Sequence, residues 1–291
     1  MNVLTPATLP ELFLHLAKPG VRVLAGGTDL LVRLRSGRET AQTVVSLDRL
    51  DALRGISLLD EGTGQDSLRL GAACTHAELL AHPDISLRLP VLARALADLG
   101  SPPIRNMGTL GGNICTASPA ADTLPPLIAL GAEVEITSAP AQRIVTRRMP
   151  LAEFLLGPGR TVLTPGEVLT AVSVPLPTAA SGKDSRCMQH FEKVGRRSAL
   201  AVAVVSLAAV IHLDNRGVVT KARLAWGSVA PTIWRCKEAE AFLIGHKLTL
   251  TTLRSAAELV RQHVQPIGDI RASADYRREV AGNLLLRLVT L

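Results

Sequence analysis

Apolar residues along this chain follow two rhythms, a helical one and a strand-like alternation, and glycines and prolines mark the changes between them. After Pro10, ELFLHLAK carries its apolar residues at helical spacing and stops at Pro19 and Gly20, which predicts a short helix. VRVLAG then alternates and runs into the doubled glycine of AGGTDLLVRLRSG, which predicts strand, glycine turn and a return to helix. TVVSL reads as a second short strand, so residues 1–55 read as a small N-terminal α/β subdomain.

GISLLDEGTGQDSLRLGAACT has two strand-like runs around DEGTGQD, the signature of a hairpin. HAELLAHP and LPVLARALADLG read as helices, the second ending at Gly100 before Pro102 and Pro103. DTLPPLIALGAEVEIT predicts a helix broken by its prolines and then a strand, and VLTAVSVPLP a strand stopped by Pro175 and Pro177. Residues 56–178 thus read as a middle subdomain, and TAASGKDSRC as the linker or mobile loop that follows. Beyond it, ALAVAVVSLAAVIHLDNRGVVTKARLAWGSV predicts two long strands around the turn DNRG. EAEAFL, TTLRSAAELVRQHV and ADYRREVAGNLLLRLV predict three helices. Strands followed by helices make residues 187–291 an α+β unit.

Composition narrows the chemistry. The 291 residues exceed what one hydrophobic core usually serves. Hydrophobic residues make up 47% and aromatics only 2%, so the interior is aliphatic and offers no platform for stacking nucleobases. The formal charge is +7, but the basic pairs Arg147-Arg148, Arg196-Arg197 and Arg277-Arg278 do not join into one run, which argues against nucleic-acid binding. Cys74, Cys115, Cys187 and Cys236 are about 40 to 70 residues apart, with no CxxC pair and no histidine in ligand spacing. On that reading the chain holds neither zinc nor an iron-sulfur cluster. No window reaches the roughly 18 uninterrupted apolar residues of a membrane span, the N-terminus has no export signal, and the thiols look free, so the cytoplasm is the expected compartment.

Two glycine loops carry the candidate chemistry. In AGGTDL, Gly26 and Gly27 follow a predicted strand, with Thr28 beside them; in MGTLGGN, Gly108, Gly111 and Gly112 lie within five positions, with Thr109 and Asn113 beside them. Such turns can aim backbone N–H groups outward at phosphate, and two of them could grip a diphosphate from both sides. Each pair could also simply make a tight turn. Neither loop is GxGxxG, and neither has the lysine of a P-loop.

VLAGGTDLL, IRNMGTLGGNICTASPAAD, WGSVAPTIWRCKEAEAFL and YRREVAGNLLLRL together resemble, in the same order along nearly the whole chain, the FAD-binding medium subunit of the molybdenum hydroxylases. This is the family of xanthine dehydrogenase and carbon monoxide dehydrogenase. The resemblance implies a PCMH-type, vanillyl-alcohol-oxidase-like FAD-binding fold: two α/β subdomains with FAD extended between them, and a C-terminal antiparallel sheet with helices covering the flavin.

Residue by residue, the resemblance implies that Ala25, Gly26, Gly27, Thr28 and Asp29 form a first FAD loop whose amides face the pyrophosphate, with Leu30 near the isoalloxazine ring. It implies a second FAD loop in Gly108, Thr109, Gly112, Asn113, Cys115, Ser118 and Asp122, the aspartate accepting from ribose hydroxyls. Leu99 stands where some members carry an aromatic against the adenine, and Leu169 is carried over as a further FAD contact. Lys193 and Phe191 are candidates to approach the ring, or else a solvated lysine and an inward-packed strand residue. Ala201 departs from an aspartate common in the family.

The implied function is electron transfer. A molybdopterin-binding large subunit and a small subunit with two [2Fe-2S] clusters would be its partners, in a dimer of heterotrimers, with NAD+ or another acceptor. No side chain of this chain is expected to act as a general acid or base. His76, His82, His190, His212 and His263 have no second ligand or carboxylate at useful spacing and are expected to be structural. The substrate lies open among purines, nicotinate, aldehydes and carbon monoxide, with xanthine first. A free-standing FAD oxidoreductase and a flavin-free assembly module are the alternatives.

Overall fold

A computed structural model of the chain describes residues 1–60, 66–177, 186–197 and 200–290. It resolves into two compact units, each assembled from three stretches of chain. The first comprises Met1–Ala81, Gly100–Ala117 and Ala132–Pro175; the second comprises His82–Leu99, Ser118–Gly131 and Leu176–Leu291. The expected linker at 178–187 falls almost wholly outside the described residues, as does the centre of the DEGTGQD turn.

The first unit begins with strands β1 (Asn2–Leu4), β2 (Val21–Leu24) and β3 (Thr43–Ser46), linked through helices α1 (Leu9–Leu16) and α2 (Leu30–Arg35). β3 lies in the middle, parallel to both neighbours. Parallel pairing requires crossover connections, which the two helices supply. α1 starts where expected because Thr8 accepts from the Glu11 amide, while the Glu11 carboxylate accepts from the Ala7 amide. Leu12, Val45, Leu50 and Leu53 form a fully buried cluster beneath it.

The same unit carries a five-stranded antiparallel sheet of β4 (Ile56–Leu59), β5 (Ser67–Gly71), β6 (Glu133–Ser138), β7 (Val145–Pro150) and β10 (Val168–Pro175), in the order β4-β5-β10-β6-β7. The expected hairpin is the β4-β5 pair. β10, an almost unbroken apolar run, takes the central position and is buried along nearly its whole length. Helices α3 (His76–Ala81), α6 (Pro102–Met107), α7 (Leu110–Thr116) and α9 (Leu151–Phe154) and the small hairpin β8 (Leu155–Gly157) and β9 (Arg160–Thr161) complete the unit.

In the second unit, helices α4 (Pro83–Arg88), α5 (Pro90–Asp98) and α8 (Leu124–Leu130) join an antiparallel sheet ordered β11 (Arg186–Gly195), β12 (Ala203–Leu213), β13 (Val219–Gly227) and β14 (Trp234–Arg235). Helices α10 (Lys237–Leu243), α11 (Leu250–His263) and α12 (Ala274–Leu286) follow. The prolines of LPPLIAL do not break α8. They occupy its first turn, where amides have no intrahelical acceptor in any case. β12 is apolar at almost every position because it is covered twice. Val205, Leu207, Ala209 and Ile211 join the core built with α10, α11 and α12, while Ser206 turns toward Pro125 at the start of α8.

A buried guanidinium ties α12 to this sheet. Arg277, 4% exposed, donates to the carbonyls of Val204 and Ser228 at 2.7 and 2.8 Å and pairs with Asp269 at 2.7 Å. Ser228 is held in the left-handed region, φ +65°, and also donates its amide to Pro119 and its hydroxyl to Ala203. Arg277→Met removes the charge and leaves the buried Val204 carbonyl and the partly buried Ser228 carbonyl without their donor. The variant is expected to lose about 3 kcal/mol of unfolding free energy in urea titrations.

Candidate functional site

In the first unit, Ala25 to Asp29 form the turn from β2 into α2. Gly27 has φ +70°, a backbone state that favours glycine, and a Cβ there would press on Leu31 Cδ1 at 2.9 Å. Gly26 serves a different need. Any Cβ on it would overlap the carbonyl of Met107, so glycine lets the end of α6 reach the first loop. The two glycine loops therefore meet backbone to backbone within one compact unit.

Their amides are used differently. Among the described residues, the N–H groups of Gly26, Gly27 and Thr28 make no hydrogen bond within the protein. In the second loop the protein itself takes nearly every donor. Gly108 donates to Ile104, Leu110 to Cys74, Gly111 to Ala72, Gly112 to the Thr109 hydroxyl, and Asn113 to the Thr109 carbonyl, at 2.7 to 3.1 Å. Of the two glycine loops, the first is thus the one whose amides are unengaged among the described residues. The second loop's amides are consumed in anchoring α7 to the strand end at Ala72 and Cys74. Gly111 is needed there because a Cβ would meet Ala72 and Leu169, which places Leu169 in the core beneath α7.

His76, which the sequence offers no reason to choose, stands against this loop. Its amide donates to the Gly108 carbonyl at 2.9 Å, and its ring lies against the Gly108 Cα. Burial, with the Arg105 charge adding to it, lowers its pKa to about 4, so the imidazole is neutral. Its Nδ1 has no hydrogen-bond partner among the described residues. Burial pushes the thiol of Cys115, on α7, up to about 12, which favours the thiol over the reactive thiolate.

In the second unit, the segment from Ser118 to Asp122 leads into α8. Ser118 starts a turn, its hydroxyl accepting from the Ala120 amide and its carbonyl from the Ala121 amide. Asp122 is 8% exposed and forms an ion pair with Lys193 of β11, Nζ to Oδ2 at 2.8 Å; the same ammonium donates to the Asp98 carbonyl at 2.7 Å. The Lys193 side chain, 9% exposed, is therefore withdrawn from solvent, and it joins Asp122 to the end of α5, where Leu99 is buried. Phe191 packs inward. The second carboxylate oxygen, Asp122 Oδ1, is buried with no hydrogen-bond partner among the described residues. An acceptor in that position is suited to a hydroxyl or amide donor brought by a ligand.

Comparison with known proteins divides the chain in sequence, near residue 180, and not by the two compact units. Residues 1–177 match the family model described as the FAD binding domain in molybdopterin dehydrogenase, and residues 189–290 the CO dehydrogenase flavoprotein C-terminal domain. The xanthine dehydrogenase FAD-binding subunit of Escherichia coli O157:H7 is 34% identical over 98% of this chain and 93% of its own length. The carbon monoxide dehydrogenase medium chain of Afipia carboxidovorans is 30% identical with the same coverage. Among solved structures, a chain of quinoline 2-oxidoreductase from Pseudomonas putida 86 superimposes with a TM-score of 0.89 at 30% identity, covering 100% of this chain and 95% of that one. No helix among the described residues is long and apolar enough to cross a membrane.

The Asp122–Lys193 pair generates a pH-dependent prediction. Burial raises the Asp122 pKa to about 6, against the lowering effect of Lys193 and with Asp98 adding to the rise. Because this value lies above the ordinary one, the fold holds the proton more tightly than the unfolded chain does. The resulting stability is present in full below the ordinary carboxylate range and lost as pH rises through about 6. Lys193→Met strips the ionised carboxylate of its partner. It is expected to destabilise by about 3 to 5 kcal/mol above that pH and by clearly less below it, as read by urea denaturation across a pH series.

Proposed function

The chain belongs to the FAD-binding medium subunits of the molybdenum hydroxylase family, and from that premise we propose that it is the electron-transfer subunit of a xanthine-dehydrogenase-type complex. What supports the purine reading is the 34% identity to a xanthine dehydrogenase FAD-binding subunit along 98% of the chain. In this reading a molybdopterin-binding large subunit and a [2Fe-2S] small subunit are its partners, NAD+ is the acceptor, and the assembly is a dimer of heterotrimers. The subdomain reading of 1–55, 56–178 and 187–291, and the cytoplasm as compartment, belong to the same proposal.

The residues fit the cofactor on chemical grounds. A pyrophosphate accepts hydrogen bonds and donates none, and the unengaged amides of Gly26, Gly27 and Thr28 are donors only. A ribose hydroxyl needs an acceptor, and the unpaired Asp122 Oδ1 is the single observation that carries the site. When bound, FAD supplies the acceptance and release of reducing equivalents.

The chain's own work is to bind and orient. Gly26, Gly27 and Thr28, with Ala25, Asp29 and Leu30 beside them, hold the phosphate end. Thr109, Gly112, Asn113 and Cys115 keep Gly108 and the start of α7 in place against that loop. Lys193 keeps Asp122 ionised and aimed, and Leu99 and Ser118 shape its surroundings. Leu169 supports α7 from beneath. None of these groups needs to move a proton.

The purified full chain, reconstituted with FAD, is expected to show flavin absorbance and no hydroxylation of xanthine without its partners. Asp122→Asn keeps the shape but replaces a charged acceptor, and should weaken FAD binding about tenfold or more in a fluorescence titration. Gly27→Val should weaken it as well, by straining the first loop. Equal affinity in the parent and both variants would remove these residues from the site. Absent flavin bands would point to an assembly module, and hydroxylation by the isolated chain would overturn the subunit reading.

A further inference from the structure

The start of α10 and the end of α11 bring together three side chains that cofactor binding leaves unused. Cys236 is buried at the N-terminal boundary of α10, and its Sγ lies 3.6 Å from Oε2 of Glu238 in the first turn. His263 closes α11, which packs against α10, and one donor atom from each of the three residues lies within 4.8 Å of the others. Cysteine and histidine are 27 positions apart, so no motif spacing announces them.

Two details point to a metal ion. His263 Nδ1 sits 2.8 Å from the carbonyl oxygen of Leu259, one turn back in α11. A carbonyl can only accept, so Nδ1 carries the hydrogen, and in the neutral ring Nε2 is the nitrogen that can bind a metal. A ring oriented by a backbone carbonyl through its other nitrogen is the usual outer support of a metal-bound histidine. The sulfur-to-oxygen separation also has the right size. A tetrahedral ion with sulfur at about 2.3 Å and oxygen at about 2.0 Å holds them about 3.5 Å apart.

We propose that Cys236, Glu238 and His263 form a zinc site on the second unit, with three protein ligands and a fourth position open to water. A thiolate, an imidazole and a carboxylate together favour a borderline-soft divalent ion over magnesium or calcium. Glu238 and His263 are exposed, so the ion reaches the site from solvent, with the cysteine sulfur beneath it. Bound there, zinc clips the N-terminus of α10 to the C-terminus of α11 and stabilises the fold by linkage. The proposal stands independently of FAD.

The test uses the full chain, stripped of metal with a chelator, dialysed, and titrated with Co2+ and then Zn2+. The expected result is saturable uptake of one equivalent of Co2+, a thiolate-to-cobalt charge-transfer band in the difference spectrum, its loss on adding Zn2+, and a higher melting temperature with Zn2+. Cys236→Ser should abolish the band. Glu238→Gln and His263→Gln, at exposed positions where the fold is unaffected, should each weaken Zn2+ binding about tenfold or more. The proposal is overturned if the parent takes up no stoichiometric metal, or if band and affinity persist in all three variants, which would place the ion at other cysteines.

Discussion

A carboxylate removed from water must be compensated, and at Asp122 the fold compensates only half of it. Lys193 satisfies one oxygen and the other is left without a partner among the described residues. The cost of that arrangement appears as a proton affinity well above the ordinary carboxylate range. Lys193 reaches Asp122 from β11 while donating to the last carbonyl of α5, so one ammonium sets the relative positions of a strand, a helix end and the segment leading into α8. A buried group left half satisfied is a standing demand for a donor.

The first unit shows the complementary constraint, imposed by backbone rather than charge. Gly26 admits a neighbouring carbonyl and Gly27 takes a positive φ, and together they leave three amides without a protein acceptor. The second glycine loop spends its donors on Ile104, Ala72, Cys74 and Thr109 and thereby becomes the support of the first. Two runs that look alike in sequence therefore divide the work: one loop offers hydrogen bonds and the other supplies rigidity. His76, neutral and packed against Gly108, belongs to that support.

Much of the fold was legible before any coordinates. The helices at ELFLHLAK, LPVLARALADLG and TTLRSAAELVRQHV, the hairpin around DEGTGQD and the long strands around DNRG follow from periodicity and turn chemistry, which are local properties. Several short elements escaped, among them α4, α6 and the edge strands β1, β7 and β14; β1 and β14, with three and two residues, are too short to show a period. The prolines of LPPLIAL misled because their effect depends on where the helix begins, and a first-turn proline costs no hydrogen bond.

By itself the sequence determined the order of elements and the aliphatic character of the cores, because periodicity and turn chemistry are written in adjacent residues, and the family resemblance carried by VLAGGTDLL and TLGGNICTASPAAD implied the class of cofactor. Tertiary structure alone decided which glycine loop keeps its amides free, that the Lys193 side chain is withdrawn from solvent against a carboxylate 71 positions away, and that Cys236 and His263 face one another. These depend on which distant backbone or side chain arrives at each donor and acceptor. Satisfaction of hydrogen bonds and charges is a property of the folded contact set, and no local pattern encodes it.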